Sequence, residues 1–196
     1  MTIYSAAMIN TMTHWRSLAL ATLLVISGCQ TTPPATPSAL AVIAQRAQSG
    51  DATAQLQLAA FYSRGEGVEK NYPESARWLT LAAQQNNAAA QGILATLYYE
   101  GIGVPQDYTQ AARWARTSAM QGDSTGQSVL GMMYFEGRGY TQNYAEAYAW
   151  FALAAVNGDS LEVQNRDRAA EKLSTKALQQ AQYRATALAQ QISAGT

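Results

Sequence analysis

Apolar, small and polar positions recur every 36 residues through the middle of this chain. Three successive copies begin at Gly50, Asn86 and Gly122. The matching sets are Leu58, Leu94 and Leu130; Tyr62, Tyr98 and Tyr134; Gly65, Gly101 and Gly137; and Trp78, Trp114 and Trp150. A period of this length is typical of stacked supersecondary units that cover one another's apolar faces. We therefore predict a solenoid, a scaffold whose usual product is an extended binding surface.

The first half of each copy has the spacing of an amphipathic helix. Leu58 and Tyr62 lie four residues apart and share one helix face, as do their equivalents. Asp51, Asn87 and Asp123 stand at the predicted helix starts, where a short polar side chain accepts a hydrogen bond from a free backbone N–H. The repeated glycine that follows the tyrosine predicts the helix end, because glycine tolerates the left-handed conformation there.

The second half of each copy predicts a second helix, joined to the first by a Gly-x-Gly turn and a polar stretch. Pro73 suits a first helical turn, where its missing N–H costs nothing. The repeated tryptophan stands at a fixed place in this helix, which favours core packing. The alternative is a ladder of exposed tryptophans that stacks on sugars.

These positions resemble the Sel-1-like repeat (SLR) family, relatives of the tetratricopeptide solenoids. The shared pattern is A-x-x-x-L-[GA]-x-x-Y, then G-x-G-V, then A-x-x-W, then paired alanines. The second copy supplies Gly101, Gly103 and Val104, whereas Tyr140 replaces the valine in the third copy. The resemblance covers about residues 47–158. It implies an all-α fold, a right-handed α-solenoid of helix-turn-helix repeats.

Both flanks of the repeats have the pattern of capping helices. Residues 39–158 are predicted to hold the three repeats and an N-terminal capping helix, with Leu40, Ile43, Ala44 and Ala47 on one face. Beyond them the repeat pattern decays, and residues 159–196 predict a C-terminal capping helix pair. Its last helix has an apolar stripe, and its outer face is rich in glutamine, as the solubility of a terminal unit requires. The stripe consists of Leu178, Ala181, Ala185, Leu188 and Ile192.

Residues 1–28 have the anatomy of a secretory signal peptide. Arg16 precedes an apolar run of about 12 residues, which is too short to cross a bilayer. The run ends in Ile26-Ser27-Gly28-Cys29, which resembles a bacterial lipobox. That resemblance implies cleavage before Cys29 and acylation of its side chain. The stretch before Arg16 is long and nearly uncharged, so Met8 and Met12 are alternatives to Met1 as the first residue that is translated.

Two further features favour a lipid anchor. Cys29 is the only cysteine, so no intramolecular disulfide can form. Residues 29–38 are rich in proline and threonine, a composition typical of an extended tether. Gln30 stands where an aspartate would imply inner-membrane retention, so the resemblance favours the outer membrane, facing the periplasm. The alternatives are an ordinary signal peptide with a chance cysteine, and an uncleaved anchor.

Charge and residue type exclude several function classes. The chain has 13 Lys and Arg against 13 Asp and Glu. Loss of Arg16 leaves a net charge near −1, which gives no footprint for nucleic acid. The only histidine, His14, precedes the predicted cleavage site, and acylation would consume Cys29. Catalysis by His or Cys, a His/Cys metal site and a bound cofactor are therefore not predicted. The Gly-x-Gly turns lie between helices rather than after a strand, which argues against a phosphate-binding loop.

Comparison of the three copies separates scaffold from surface. Variable positions on the first helices are free to face a partner, and by analogy with tetratricopeptide units these helices line the concave side. We predict that a protein, peptide or cell-wall partner binds there. The predicted contacts are Leu56, Arg64, Thr96, Tyr99, Glu100, Met132, Phe135 and Glu136. The larger apolar members would form a patch typical of peptide recognition. The alternative is that Tyr99 or Phe135 packs under its Gly-x-Gly loop.

These features together predict a non-catalytic scaffold of the bacterial cell envelope. One alternative is a cell-wall hydrolase that uses Glu100 and Glu136, which hold equivalent positions on consecutive first helices. Packed helices lie about 8–10 Å apart, close to the roughly 6.5–9.5 Å between the carboxyl groups of inverting glycosidases. Against it, no third group is evident that would tune either carboxyl. The other alternative is a structural periplasmic spacer.

Overall fold

The computed structural model describes residues 38–157 and 160–195. These residues form nine α-helices and one short 3₁₀ turn, Ala155–Asn157, with no strand among them. The helices are α1 Ala39–Gln48, α2 Ala52–Arg64, α3 Tyr72–Gln84, α4 Ala88–Glu100, α5 Tyr108–Ala119, α6 Ser124–Glu136, α7 Tyr144–Ala154, α8 Ser160–Ala170 and α9 Thr175–Gly195. The predicted all-α solenoid is confirmed, and α2–α3, α4–α5 and α6–α7 are its three helical hairpins.

The first helix of each hairpin begins and ends as the sequence predicts. The side chains of Asp51, Asn87 and Asp123 accept the backbone N–H three residues ahead, at 3.0, 2.9 and 3.0 Å. At the other end Gly101 has φ 73°, and its N–H donates to the carbonyl of Leu97 at 2.8 Å. Its two equivalents have nearly the same φ. A side chain at this left-handed position would be strained, which explains why glycine is repeated there.

Each second helix has an N-cap that the sequence analysis missed. Asn71, Asp107 and Asn143 accept backbone N–H groups from the first turns of α3, α5 and α7. Their own backbone N–H groups donate back to the carbonyls of the repeated tyrosines at 2.8–2.9 Å. The turn between the paired helices is therefore closed by hydrogen bonds at both of its ends. This rigid turn fixes where the last turn of the first helix points.

A ladder of buried glutamines joins the hairpins. The side-chain amides of Gln55, Gln91 and Gln127 donate to the carbonyls of Ala47, Ala83 and Ala119, each eight residues earlier. Two of these glutamines also accept a hydrogen bond from the following hairpin junction, where Gln85 donates to Gln55 and Gln121 to Gln91. Because buried polar groups that lose their partners destabilise a fold, the ladder fixes the register between repeats.

The core runs along the solenoid between the two helix layers. Leu58, Leu94 and Leu130 are 3%, 0% and 1% exposed. Trp78 and Trp150 are also buried, which confirms core packing for two of the three tryptophans. Trp114 differs: it is only partly buried and contacts the apolar clusters on both sides.

Helices pack against both ends of the three hairpins. At the N-terminal end α1 packs on α2, and at the C-terminal end both α8 and α9 pack on α7. Ser160, the first residue of α8, lies 36 residues after Ser124, so α8 takes the place of a further first helix. Leu188 and Ile192 of α9 join the cluster around Trp150. Arg184 of α9 pairs with Glu146 of α7 at 2.9 Å.

Candidate partner-binding surface

Seven of the eight predicted contact residues are accessible to some degree. Arg64, Glu100 and Glu136 are exposed at the last turns of α2, α4 and α6. Leu56, Thr96, Met132 and Phe135 are partly buried. Tyr99 is the exception, since only 5% of its surface is exposed. The predicted residues therefore lie along the first helices, but the Tyr99 ring is buried and does not contribute to the expected apolar patch.

The expectation that Tyr99 is exposed is wrong, and its physical reason lies in the next repeat. The Tyr99 hydroxyl donates to the Glu136 carboxylate at 2.6 Å. Its ring packs at 5.5 Å against that of Tyr108, with an angle of 59° between the planes. The guanidinium of Arg138 lies 5.7 Å from the Tyr99 ring centre and 5.9 Å from that of Tyr108. Tyr99 thus joins two repeats, a contact that a repeat considered alone does not show.

The electrostatics of this cluster keep Tyr99 neutral. Burial raises the pKa of the Tyr99 phenol well above its usual range, and the hydrogen bond to Glu136 raises this pKa further. Arg138 neutralises Glu136 in a 3.0 Å ion pair. The phenol is therefore a hydrogen-bond donor at any physiological pH.

The same aromatic pair recurs one repeat later without a following repeat to cover it. The rings of Phe135 and Tyr144 meet edge to face, at 5.2 Å and 67°. Arg168, from α8, stands 5.2 Å from the Phe135 ring centre. Phe135 is partly buried by these neighbours, which agrees in part with the alternative that it packs under its loop.

An open groove of about 500 Å³ lies beside this second pair, and we call it the terminal groove. It lies where the end of α6, the following turn, the start of α7 and the end of α8 meet. Its lining combines one aromatic pair with charges of both signs. The lining residues are Phe135, Glu136, Arg138, Gln142, Tyr144, Arg168, Glu171 and Lys172.

The remaining predicted contacts form a less continuous surface than expected. Leu56 and Met132 turn part of their side chains toward the core clusters. The Thr96 hydroxyl donates to the carbonyl of Gly92 at 3.2 Å, within its own helix. Arg64 pairs with Glu66 at 2.9 Å, whereas Glu100 has no ion pair within residues 38–157 and 160–195. Accessible charge at the helix ends is thus more prominent than apolar area.

Six of the eight residues that line the terminal groove were not predicted from the sequence: Arg138, Gln142, Tyr144, Arg168, Glu171 and Lys172. Tyr144 is the third copy of a repeated tyrosine, and Arg138 stands at the variable centre of the Gly-x-Gly turn. Both residues could therefore have been identified from the repeat pattern. The three residues of the C-terminal cap, Arg168, Glu171 and Lys172, had no such signal, because the residue types no longer follow the repeat there.

A second groove, of about 440 Å³, lies beside Trp114 on the second-helix side. Its lining includes Tyr98, Pro105 and Gln110. The guanidinium of Arg113 stands 5.0 Å from the Trp114 ring centre. We call the surface formed by the accessible predicted contacts on α2, α4 and α6 the first-helix surface. None of the eight predicted contacts lies in this groove, so the groove does not extend that surface.

The part of the chain that the structure describes contains neither a candidate metal site nor a candidate membrane-spanning helix. No group of three or more His, Cys, Asp or Glu side chains there is arranged to hold a metal ion. No described helix is both long enough and apolar enough to cross a membrane. Cys29 and the predicted lipobox lie outside the described residues.

A family comparison identifies the repeats. The family model for the Sel1 repeat matches three consecutive segments, residues 52–87, 88–123 and 124–159. The chain belongs to the Sel1 repeat family. Each matched segment coincides with one helical hairpin and the turn that follows it. A search of curated proteins finds no match to this chain.

Two solved structures extend the comparison. A Sel1 repeat protein from Oxalobacter formigenes is 32% identical, with a TM-score of 0.57, over 65% of this chain and 96% of that one. A protective antigen present in uropathogenic Escherichia coli strains, described as displaying an SLR fold, is 30% identical with a TM-score of 0.51. That match covers 78% of this chain but 41% of the antigen, so this chain spans about two fifths of its length. Sel1 repeat proteins generally serve in protein–protein interaction and are typically non-catalytic scaffolds.

Proposed function

We propose that this Sel1 repeat protein is a non-catalytic adaptor of the bacterial cell envelope that holds a protein or peptide partner on its first-helix surface. The observation that carries the proposal is the contrast between fixed and variable positions. The repeated leucines are buried, whereas the variable Glu100, Met132 and Glu136 remain accessible on consecutive first helices. A fixed scaffold with changing exposed positions is how solenoids present a binding surface.

The location rests on the sequence. The lipobox at Cys29 and the tether of residues 29–38 support a lipid-anchored protein of the outer membrane that faces the periplasm. A lipid-anchored scaffold would hold its partner close to the membrane surface.

The alternatives receive less support from the described residues. For the hydrolase alternative, the carboxylate of Glu136 already accepts a hydrogen bond from Tyr99 and pairs with Arg138. Glu100 is not among the residues that line the terminal groove, so the two carboxylates do not share that groove. A hydrolase needs both carboxyl groups to face one bound sugar. A purely structural spacer would have no reason to vary the accessible first-helix positions.

Site-specific photo-crosslinking in intact cells tests the proposal. A photoreactive residue replaces Glu100 or Met132 in the full chain, and the matched control replaces Gln182 on the outer face of α9. We expect a discrete adduct from the first-helix positions and none from Gln182. Equal adducts from all three positions, or none from any, would contradict a partner on the first-helix surface.

A further inference from the structure

The terminal groove is the end of a packing arrangement that the preceding repeat completes. In both repeats an aromatic residue at the end of the first helix packs on the tyrosine that starts the second helix. The two ring distances are similar, 5.5 Å for Tyr99 with Tyr108 and 5.2 Å for Phe135 with Tyr144. The two pairs differ in what covers them.

The earlier pair shows which chemistry fits against this aromatic surface. The carboxylate of Glu136 lies at the rim of the Tyr99 ring, where it accepts a hydrogen bond from the phenol and forms an ion pair with Arg138. A carboxylate paired with a guanidinium therefore fits against this aromatic pair. The occupant comes from the following repeat.

One repeat later, the position equivalent to Glu136 has a positive charge in place of a negative one. Lys172 lies 36 residues after Glu136, so a cation stands in the sequence position of the carboxylate. Lys172 and Arg168 both line the terminal groove. Neither has a carboxylate within ion-pair distance among the described residues, and Arg168 instead faces the Phe135 ring and Asn165.

The other charged residues of the groove form no ion pair with Arg168 or Lys172 among the described residues. Arg138 and Glu136 neutralise each other. Glu171 also lines the groove and forms no ion pair with a described residue. The lining therefore has three cations against two carboxylates, and two of the cations have free hydrogen-bonding capacity.

We propose that the terminal groove binds an acidic peptide segment of the partner. An Asp or Glu side chain would lie between Arg168 and Lys172, and a neighbouring apolar side chain would pack on Phe135 and Tyr144. Charge-assisted hydrogen bonds supply the specificity, and the aromatic pair supplies apolar contact area. A volume of about 500 Å³ is within the range of ligand-binding clefts. This inference rests on the proposed function and names the partner's chemistry at one place on the surface.

Selection from a displayed library of random 12-residue peptides tests it on the full chain. We expect the enriched peptides to contain Asp or Glu beside an apolar residue. Their affinity should fall about tenfold or more for Arg168→Gln with Lys172→Gln, because the carboxylate loses its charged donors. Lys176→Gln, which removes an exposed cation from α9, is the matched control and should bind as the wild type does. A Lys172→Glu variant should select peptides with Lys or Arg in place of the acidic residue.

The outcomes separate this inference from the proposed function. Enriched peptides without acidic residues, no enrichment at all, or equal binding to the double variant and the wild type would overturn the acidic-peptide site. An adduct at Glu100 or Met132 in the crosslinking experiment would still support the adaptor function. Circular dichroism of each variant verifies that the helices are retained.

Discussion

Tyr99 shows how a residue that varies between repeats can still serve the scaffold. Its equivalent in the first repeat is Ser63, which has no ring, and this difference suggested a surface role. The structure instead uses the ring and hydroxyl of Tyr99 to join the second repeat to Glu136 of the third. A residue that contacts the next unit depends on what that unit provides. In the second repeat Glu100 is the counterpart of Glu136, but Ile102 stands in place of Arg138.

Removal of the Tyr99 hydroxyl should cost stability. Tyr99→Phe keeps the packing against Tyr108 but removes the hydrogen bond to Glu136, so the free energy of unfolding should fall by about 1–2 kcal/mol. Urea denaturation measures the loss. Tyr144→Phe is the control, because no hydrogen bond of its hydroxyl occurs among the described residues. Equal losses in the two variants would show that the bond to Glu136 adds nothing specific.

The Tyr99 phenol also predicts a dependence on alkaline pH. Its pKa is raised in the folded protein above the ordinary value of 10.0, so folding favours the protonated form. The stabilisation is fully present below pH 10 and is lost as the pH rises above that value toward the folded pKa. Wild type and Tyr99→Phe should therefore differ most near neutral pH, and the difference should shrink above pH 10. A constant difference between pH 8 and 11 in chemical denaturation would contradict this linkage.

At the level of helices, the same residue type has different burial in different repeats. Trp150 is 2% exposed because α9 packs over α7, whereas Trp114 lines an open groove. The sequence period predicts that all three tryptophans occupy equivalent backbone positions. It does not predict which of them a neighbouring element covers, because the covering helix α9 lies outside the repeat.

Truncation of the two tryptophans should have unequal effects. Trp150→Ala should destabilise the fold by about 3–5 kcal/mol, the range for a fully buried large aromatic side chain. Trp114→Ala should cost clearly less, since part of its ring is already exposed to solvent. Thermal or urea melts of the two variants test the order. A larger loss for Trp114→Ala would mean that its contacts with both core clusters outweigh its exposure.

Helix positions were predictable because the signals that set them are local. N-caps at Asp51, Asn87 and Asp123 and left-handed glycines act within one or two turns of the chain, and three copies reinforce each signal. The candidate site was less predictable because its contacts cross between units. Arg168 reaches Phe135 from a helix whose sequence no longer follows the repeat.

At the scale of the whole helical domain, capping explains why the terminal groove lies beside the third hairpin. Each hairpin is covered by the next, as Glu136 and Arg138 cover Tyr99 and Tyr108. The third hairpin is followed by α8, which packs on α7 but leaves the Phe135 and Tyr144 pair facing the groove. An imperfect fourth unit thus ends the solenoid and exposes a surface that a perfect repeat would bury.

The anchor prediction concerns the position of this surface in the cell. If Cys29 is acylated, Cys29→Ser should prevent incorporation of a fatty-acid probe and release the protein from the membrane fraction or block its maturation. The helical domain should keep its thermal melting transition, because helices α1 to α9 lie between residues 39 and 195 and Cys29 belongs to none of them. Metabolic labelling followed by fractionation measures both effects, and Ser27→Ala serves as the control, because alanine also satisfies the lipobox pattern at that position. Fatty-acid label retained by Cys29→Ser would remove the lipoprotein hypothesis, and the Sel1 repeat domain would then need another route to the envelope.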